Sequence, residues 1–131
     1  MAFSTSLIQE ITDEGGAFTF TSPASQNVLG TYVQIVASTA HIVRNIIIIG
    51  STAGISKNYR LAIATGAGGA EVVKYDIYIT ENVTATTISE FISFDPSVIP
   101  KGVRVAIAIA NTQDAVSISG VFGVTLQEDN S

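Results

Sequence analysis

Isoleucine and valine outnumber leucine in this chain to a degree that favours β-sheet over helix. Thirty-one residues are Ile or Val, and only four are Leu. Side chains branched at Cβ lose rotamer freedom against the preceding turn of a helix, whereas they pack well on the pleated surface of a strand. No segment shows the period of about 3.6 residues that marks an amphipathic helix. The sequence therefore predicts an all-β protein.

The length of the chain predicts one domain. A domain of 131 residues buries roughly two-thirds of the surface of its unfolded chain, which is enough for one sandwich core. No run approaches the ~20 apolar residues of a membrane-spanning helix. The first residues show neither a basic segment nor a long apolar stretch, so we expect no cleaved signal peptide. We assign residues 13–131 to a single β-sandwich domain.

Charge and cysteine content argue against several classes of site. Asp, Glu, Lys and Arg make up 13% of the chain, whereas about 25% is usual. The chain has no cysteine, which excludes disulfides and thiolate metal sites. Its net charge is −5, and its six basic residues are scattered, so they form no stripe that could neutralise phosphates or an anionic membrane. We predict no nucleic-acid or membrane binding, no metal and no cofactor.

Turn-forming residues interrupt the sequence at short intervals, as at 13–16, 50–54, 66–69 and 111–114. Such clusters of Gly, Asp, Asn and Ser favour turns. The segments between them have the length of strands, and about nine strands with regular turns are typical of an antiparallel β-sandwich. We favour a jelly roll, with a barrel as the alternative. The predicted strands lie near 5–12, 17–21, 29–37, 41–50, 58–65, 71–80, 87–94, 103–110 and 115–127.

Two segments alternate bulky side chains with alanine. Over 103–110 the odd positions are bulky and the even positions are an arginine followed by three alanines, and 59–64 repeats this pattern. If both strands lie in one sheet, their alanines form a low apolar surface that another backbone can approach closely. That surface forms either a contact between subunits, with its arginines paired to acids across it, or a site covered by the chain itself. The candidate subunit interface comprises Arg60, Ala62, Ala64, Arg104, Ala106, Ala108 and Ala110.

No motif for catalysis is present. The glycine-rich segment 66–69 is followed by a strand-like alternation and not by the helix that a phosphate-binding loop requires, so we predict a hairpin turn there. His41 is the only histidine, and no nucleophile motif accompanies it, which favours a structural or surface role. Unassigned carboxylates are the only support for a small hydrolase. We therefore predict that the chain is not an enzyme.

Three further patterns give local expectations. The run 46–49 is apolar at every position, so both faces of that strand should be covered, as in a central strand. Tyr75 and Tyr78 have opposite parity on one strand and should point to opposite faces. The acidic tail 127–131 should be a solvated end.

Three phrases of the sequence resemble small β-rich virion proteins of tailed bacteriophages. The passage Val98-Ile99-Pro100-Lys101-Gly102-Val103-Arg104-Val105-Ala106 is similar to their "IPxGxRxA" segment. The turn and strand at 66–72 and the early strand at 31–40 are also similar, so that the likeness extends over about residues 28–126. Where that family often has a further arginine or polar residue after "RxA", this chain keeps alanine.

The resemblance implies a structural component of the virion. It implies a capsid decoration (cement) protein, with a neck, tail or fibre module that binds a host receptor or glycan as the alternative. The expected partners are other copies of the chain, preferably as a homotrimer at a local three-fold axis, and the major capsid protein or other virion proteins. Residues 1–12 would form an N-terminal arm, or an edge strand, that reaches a neighbour. The chain would be made in the host cytoplasm and end in the virion.

Overall fold

Alternating β-branched side chains form strands throughout the computed structural model, which describes residues 11–53, 58–80 and 87–129. Within these ranges there are eight strands and no helix, so no described segment is a helix that could cross a bilayer. The predicted all-β class is confirmed. The strands are β1 (Ile11–Thr21), β2 (Val33–Val36), β3 (Ile42–Ala53), β4 (Asn58–Thr65), β5 (Val72–Thr80), β6 (Ile88–Ser93), β7 (Val105–Asn111) and β8 (Ser119–Asp129).

The described strands form two antiparallel sheets of four. One sheet has the order β1-β8-β3-β6, and the other has the order β2-β7-β4-β5. Four antiparallel pairs are nested in chain order, the first strand with the last and so on inwards: β1–β8, β2–β7, β3–β6 and β4–β5. The β-sandwich prediction is confirmed, and this order is compatible with a jelly roll. The alternative, a closed barrel, does not describe two separate sheets.

The core lies between the two sheets and contains the alternate side chains of each strand. In β8 these are Phe122, Val124 and Leu126, and in β3 they are Ile46 and Ile48, all of them fully buried or nearly so. Phe20 and Phe122 stack with ring centroids 5.6 Å apart, a separation typical of stabilising aromatic pairs. Period-two patterning thus directs one face of each strand into the core.

The predicted turn at 13–16 is wrong. These residues lie inside β1, which pairs with β8 without interruption from Ile11 to Thr21. Gly15 has φ +150°, and a Cβ atom there would lie 1.9 Å from the carbonyl oxygen of Val124. The glycine therefore permits close pairing of two strands and does not turn the chain. For this reason residues 11–12 and the predicted strand 17–21 belong to one strand, β1; residues 5–10 of the other predicted strand are not described. The turn predicted at 50–54 is also wrong over its described residues 50–53, which lie inside β3.

The predicted N-terminal arm or edge strand at 1–12 falls largely outside the described residues. Residues 1–10 are not described, while residues 11 and 12 begin β1. β1 lies at the edge of its sheet. The arm and the domain bounds stay predictions.

The hairpin predicted at 66–69 is confirmed. It joins β4 to β5, which pair antiparallel, and Gly66 and Gly69 have φ angles of +115° and +87°. Positive φ costs little only for residues without a Cβ atom. The glycines therefore determine where this turn forms.

Substitution of Gly50 tests the packing between β3 and β8. A Cβ atom at Gly50 would lie 2.4 Å from the carbonyl oxygen of Val121 and 2.7 Å from the ring of Phe122. We expect Gly50→Ala to lower the free energy of unfolding by about 1–3 kcal/mol through overpacking. Gly68→Ala is the control, because nothing lies within 4 Å of its Cβ position, and it should change stability by less than about 1 kcal/mol. Urea denaturation measures both, and equal losses would contradict the close approach.

Candidate functional site

The two alanine rows lie side by side, as the sequence led us to expect. β4 and β7 pair so that Ala62 is opposite Ala108 and Ala64 is opposite Ala106. Arg60 is opposite Ala110, which places it at the end of the same surface. All the alanines of the candidate subunit interface are fully buried within the single chain.

Both arginines of that candidate interface have acidic partners in their own chain. The Nε atom of Arg60 donates to Oδ1 of Asp76 at 2.6 Å, and Nη1 of Arg104 donates to Oε2 of Glu71 at 3.0 Å. The alanines present no accessible surface, and the arginines are already paired. The predicted contact between subunits here stays a prediction, and a contact would require the covering groups to move.

A different surface of the molecule is apolar, and none of the described residues covers it. β3 is a central strand, as predicted, and Ile46 and Ile48 are fully buried. Ile49, however, is 48% exposed, so the expectation that both faces of 46–49 are covered is wrong. Only one face of this sheet packs on the other sheet. The opposite face of β3 is open among the described residues.

Neighbouring strands extend this open surface. Ile47 is opposite Phe91 of β6, and Val121 of β8 is opposite Ser51, the next outward residue of β3 after Ile49. Phe91 is 61% exposed and Val121 is 59% exposed. We call Ile47, Ile49, Phe91 and Val121 the outer apolar face.

Among the described residues, the outer apolar face has no charge at its centre. The outward residues interleaved with it on the same rows are Ala, Gly, Ser and Thr, namely Gly15, Ala17, Thr19, Ser51, Ser89, Gly123 and Thr125. The first acid along β1 on this face, Asp13, is opposite Gln127, one row beyond the apolar residues. Clusters of exposed apolar side chains without charge are candidates for interaction with other macromolecules.

The end of β8 contains a buried carboxyl group that sequence reasoning assigned to solvent. Glu128 is fully buried, because β8 continues to Asp129 and the inward alternation continues with it. One of its oxygens accepts a hydrogen bond from the backbone N–H of His41 at 2.7 Å. The prediction of a solvated tail at 127–131 is therefore wrong for residues 127–129; the last two residues are not described.

Burial changes the acidity of this group. Removal from water raises the pKa of Glu128 from 4.5 to about 7, and the neighbouring carboxyl group of Glu14 adds to the rise, while the N–H of His41 opposes it. Glu14 and Glu128 lie on the same face of neighbouring strands, at diagonal positions. The nearby Asp129 is paired with Arg44 at 3.1 Å. The alternation at 122, 124, 126 and 128 was the sequence signal for this inward position.

The two tyrosines of β5 lie apart from each other. Tyr75 and Tyr78 lie on opposite faces of β5, as predicted: Tyr75 contacts Phe94 edge to face at 5.9 Å, and Tyr78 is opposite Arg60 and 66% exposed. They form no common platform.

Comparison with known proteins relates the fold of this chain to other β-rich proteins. No family model matches the sequence, and no curated protein is significantly similar to it. A structure from the work "Bacillus endospore appendages form a novel family of disulfide-linked pili" is 14% identical with TM-score 0.54, over 95% of this chain and 92% of that one. The Yersinia pseudotuberculosis-derived mitogen is 11% identical with TM-score 0.45, over 95% and 92%. The PRD1 vertex protein P5 is 14% identical with TM-score 0.41, over 92% and 99%. These likenesses concern the fold alone.

The buried carboxyl group predicts how stability depends on pH. Because folding raises the pKa of Glu128 from 4.5 to about 7, the folded chain holds this proton more tightly than the unfolded chain. The stabilisation that this group contributes should therefore be complete below about pH 4.5. It should decrease as the pH rises and be lost above about pH 7. We expect a free energy of unfolding lower at pH 8 than at pH 5 by on the order of 1–3 kcal/mol.

Glu128→Gln should remove most of this fall between pH 5 and pH 8, as measured by urea denaturation at constant ionic strength. Glu90→Gln, on the edge strand β6, is the matched control and should retain it. An unchanged fall in the Glu128 variant would contradict the assignment.

Proposed function

We propose that this chain is a structural protein of a bacteriophage virion, most specifically a capsid decoration (cement) protein that acts without catalysis. The observation that carries the proposal is the outer apolar face, in which Ile49, Phe91 and Val121 are 48%, 61% and 59% exposed. A protein with so little charge on this surface gains stability when other protein covers it. The phrase-level resemblance to small virion proteins supports the same interpretation.

The occupant of the outer apolar face is a second copy of the same chain. The whole chain carries a net charge of −5, so most contacts between copies bring like charges together. The described strands place no charged residue at the centre of this face, and contact there avoids that repulsion. A closed ring satisfies every copy equally. We propose a homotrimer in which each outer apolar face is directed towards the three-fold axis.

The proposed action is mechanical. A trimer at a local three-fold axis of a capsid contacts several copies of the major capsid protein at once. Each such contact buries additional surface, and the gain in free energy grows with the apolar area removed from water. The lattice then resists the internal pressure of packed DNA better than the coat protein does alone.

The alternative is a neck, tail or fibre module that binds a host receptor or glycan. The observation that favours it is an open cleft beside Arg104, lined by backbone and amide groups. A cell-adsorption assay separates the alternatives, since a decoration protein does not need to attach to the host cell. The proposed location is the virion in either case.

Charges placed on the outer apolar face should separate the subunits. We expect the unmodified chain to have three times the mass of one chain by size-exclusion chromatography with light scattering. The double variant Ile49→Lys/Phe91→Lys should have the mass of a single chain, because six like charges would meet around the axis of a trimer. Both positions are exposed, so the fold should remain, as checked by circular dichroism and urea denaturation.

Tyr78→Lys is the matched control, because Tyr78 is an equally exposed aromatic side chain on the other sheet. This variant should remain trimeric. The unmodified protein should also bind empty phage capsids from the same source in a fixed ratio. A protein that is monomeric at high concentration and does not bind those capsids would refute the proposed function.

A further inference from the structure

An open cleft of about 630 Å³ lies at one end of the β2-β7-β4-β5 sheet. Three separate segments form it: the end of β2, the β4–β5 hairpin and the residues that precede β7. Its volume lies within the range of about 300–1,000 Å³ that is usual for sites of small molecules. We call it the Arg104 cleft. Its lining residues are Gln34, Ala37, Gly66, Ala67, Gly68, Gly102, Val103 and Arg104.

Contacts on three sides hold the guanidinium group of Arg104 in place. Its Nε atom donates to Oε1 of Gln34 at 2.9 Å. Its Nη1 atom donates to the carbonyl oxygen of Gly66 at 3.1 Å and to Oε2 of Glu71 at 3.0 Å. A long side chain fixed in this way loses little further entropy when it binds a ligand.

Several free polar groups of the cleft are hydrogen-bond donors. Nη2 of Arg104, the side-chain nitrogen of Gln34 and the backbone N–H groups of Ala67 and Gly68 have no partner in the part of the chain that the structure describes. Successive backbone N–H groups of a glycine-rich turn favour an oxygen anion. The cleft therefore offers donors to a ligand whose polar atoms are acceptors.

Glu71 limits how much negative charge a ligand can carry. It does not line the cleft, and its carboxylate is already engaged. Its own backbone N–H, Arg104 and the N–H of Gly69 all donate to it and keep the pKa of Glu71 below its usual range. Glu71 is thus negative at neutral pH and compensates the charge of Arg104. A ligand with a single negative charge suits this balance better than a doubly charged phosphate.

We propose that the Arg104 cleft binds an acidic sugar, that is, a saccharide that carries one carboxylate. The carboxylate accepts hydrogen bonds from Nη2 of Arg104 and from the backbone N–H groups of Ala67 and Gly68. The amide nitrogen of Gln34 donates to a hydroxyl oxygen of the sugar ring. Ala37 and Val103 provide small apolar walls that exclude water from one side of the ring. This inference does not depend on how copies of the chain assemble.

The test is a titration followed by ¹H–¹⁵N NMR spectra of the full chain. Glucuronate and N-acetylneuraminate should shift the backbone signals of residues 34, 66–68 and 103–104. Glucose, which lacks the carboxylate, should bind at least tenfold more weakly. Inorganic phosphate and a short glutamate-rich peptide should also bind at least tenfold more weakly, because they lack either the single charge or the hydroxyl groups.

A matched pair of variants identifies the cleft as the site. A Cβ atom at Gly68 has nothing within 4 Å, so Gly68→Trp should fold normally while its indole fills the cleft, and acidic-sugar binding should fall at least tenfold. Ala70→Trp places the same ring on the exposed turn outside the lining and should bind as the unmodified chain does.

Three results would overturn the proposal: no signal shifts with either acidic sugar, equal shifts with glucose, or binding that survives in Gly68→Trp. Stronger binding of the phosphate or the peptide would also overturn it and would assign the cleft to that ligand. Light scattering of Gly68→Trp distinguishes a failure of sugar binding from a failure of assembly. The variant should assemble as the unmodified chain does even though it has lost the sugar.

Discussion

Strand β8 is paired along its whole length on both sides, and the rest of the structure depends on this double pairing. Each residue from Ser119 to Asp129 is opposite a residue of β1 and a residue of β3. Because alternate side chains of a strand point to opposite faces, two such ladders determine which side chains enter the core. A shift by one residue would exchange the buried Phe122 for the exposed Val121 and move every side chain of β8 to the other face.

The same register buries one carboxyl group and exposes several apolar side chains, which is the opposite of what the polarity of these groups favours. It brings the carboxyl group of Glu128 inside, where the N–H of His41 satisfies one oxygen and burial favours the neutral form. It directs Ile49 and Val121 outward, on a face without charge. Both features are costly for an isolated chain in water, one through desolvation and the other through exposed apolar area. The second cost disappears when another copy of the chain covers the face.

Local patterns predicted the parts of the fold that depend on local chemistry. β4 was predicted at its observed bounds, and the turn at 66–69 followed from the need for positive φ. The turn at 13–16 was predicted wrongly because Gly15 allows the backbone to approach Val124, a residue far away in sequence. The pairing of the alanine rows was predictable from their repeated pattern, whereas their burial was not. Arg104 and Glu71 were both visible in the sequence, yet only the folded hairpin brings them together.

We propose that the register of β8 leaves an apolar sheet face which other copies of the chain cover. Hydroxyl-radical footprinting across a dilution series measures this coverage, because Phe91 and Tyr78 are both exposed aromatic side chains on different sheets. As the protein concentration rises, oxidation of Phe91 should fall at least several-fold while oxidation of Tyr78 stays constant. If oxidation of Phe91 is equal at all protein concentrations and in intact virions, other copies of the chain do not cover this face.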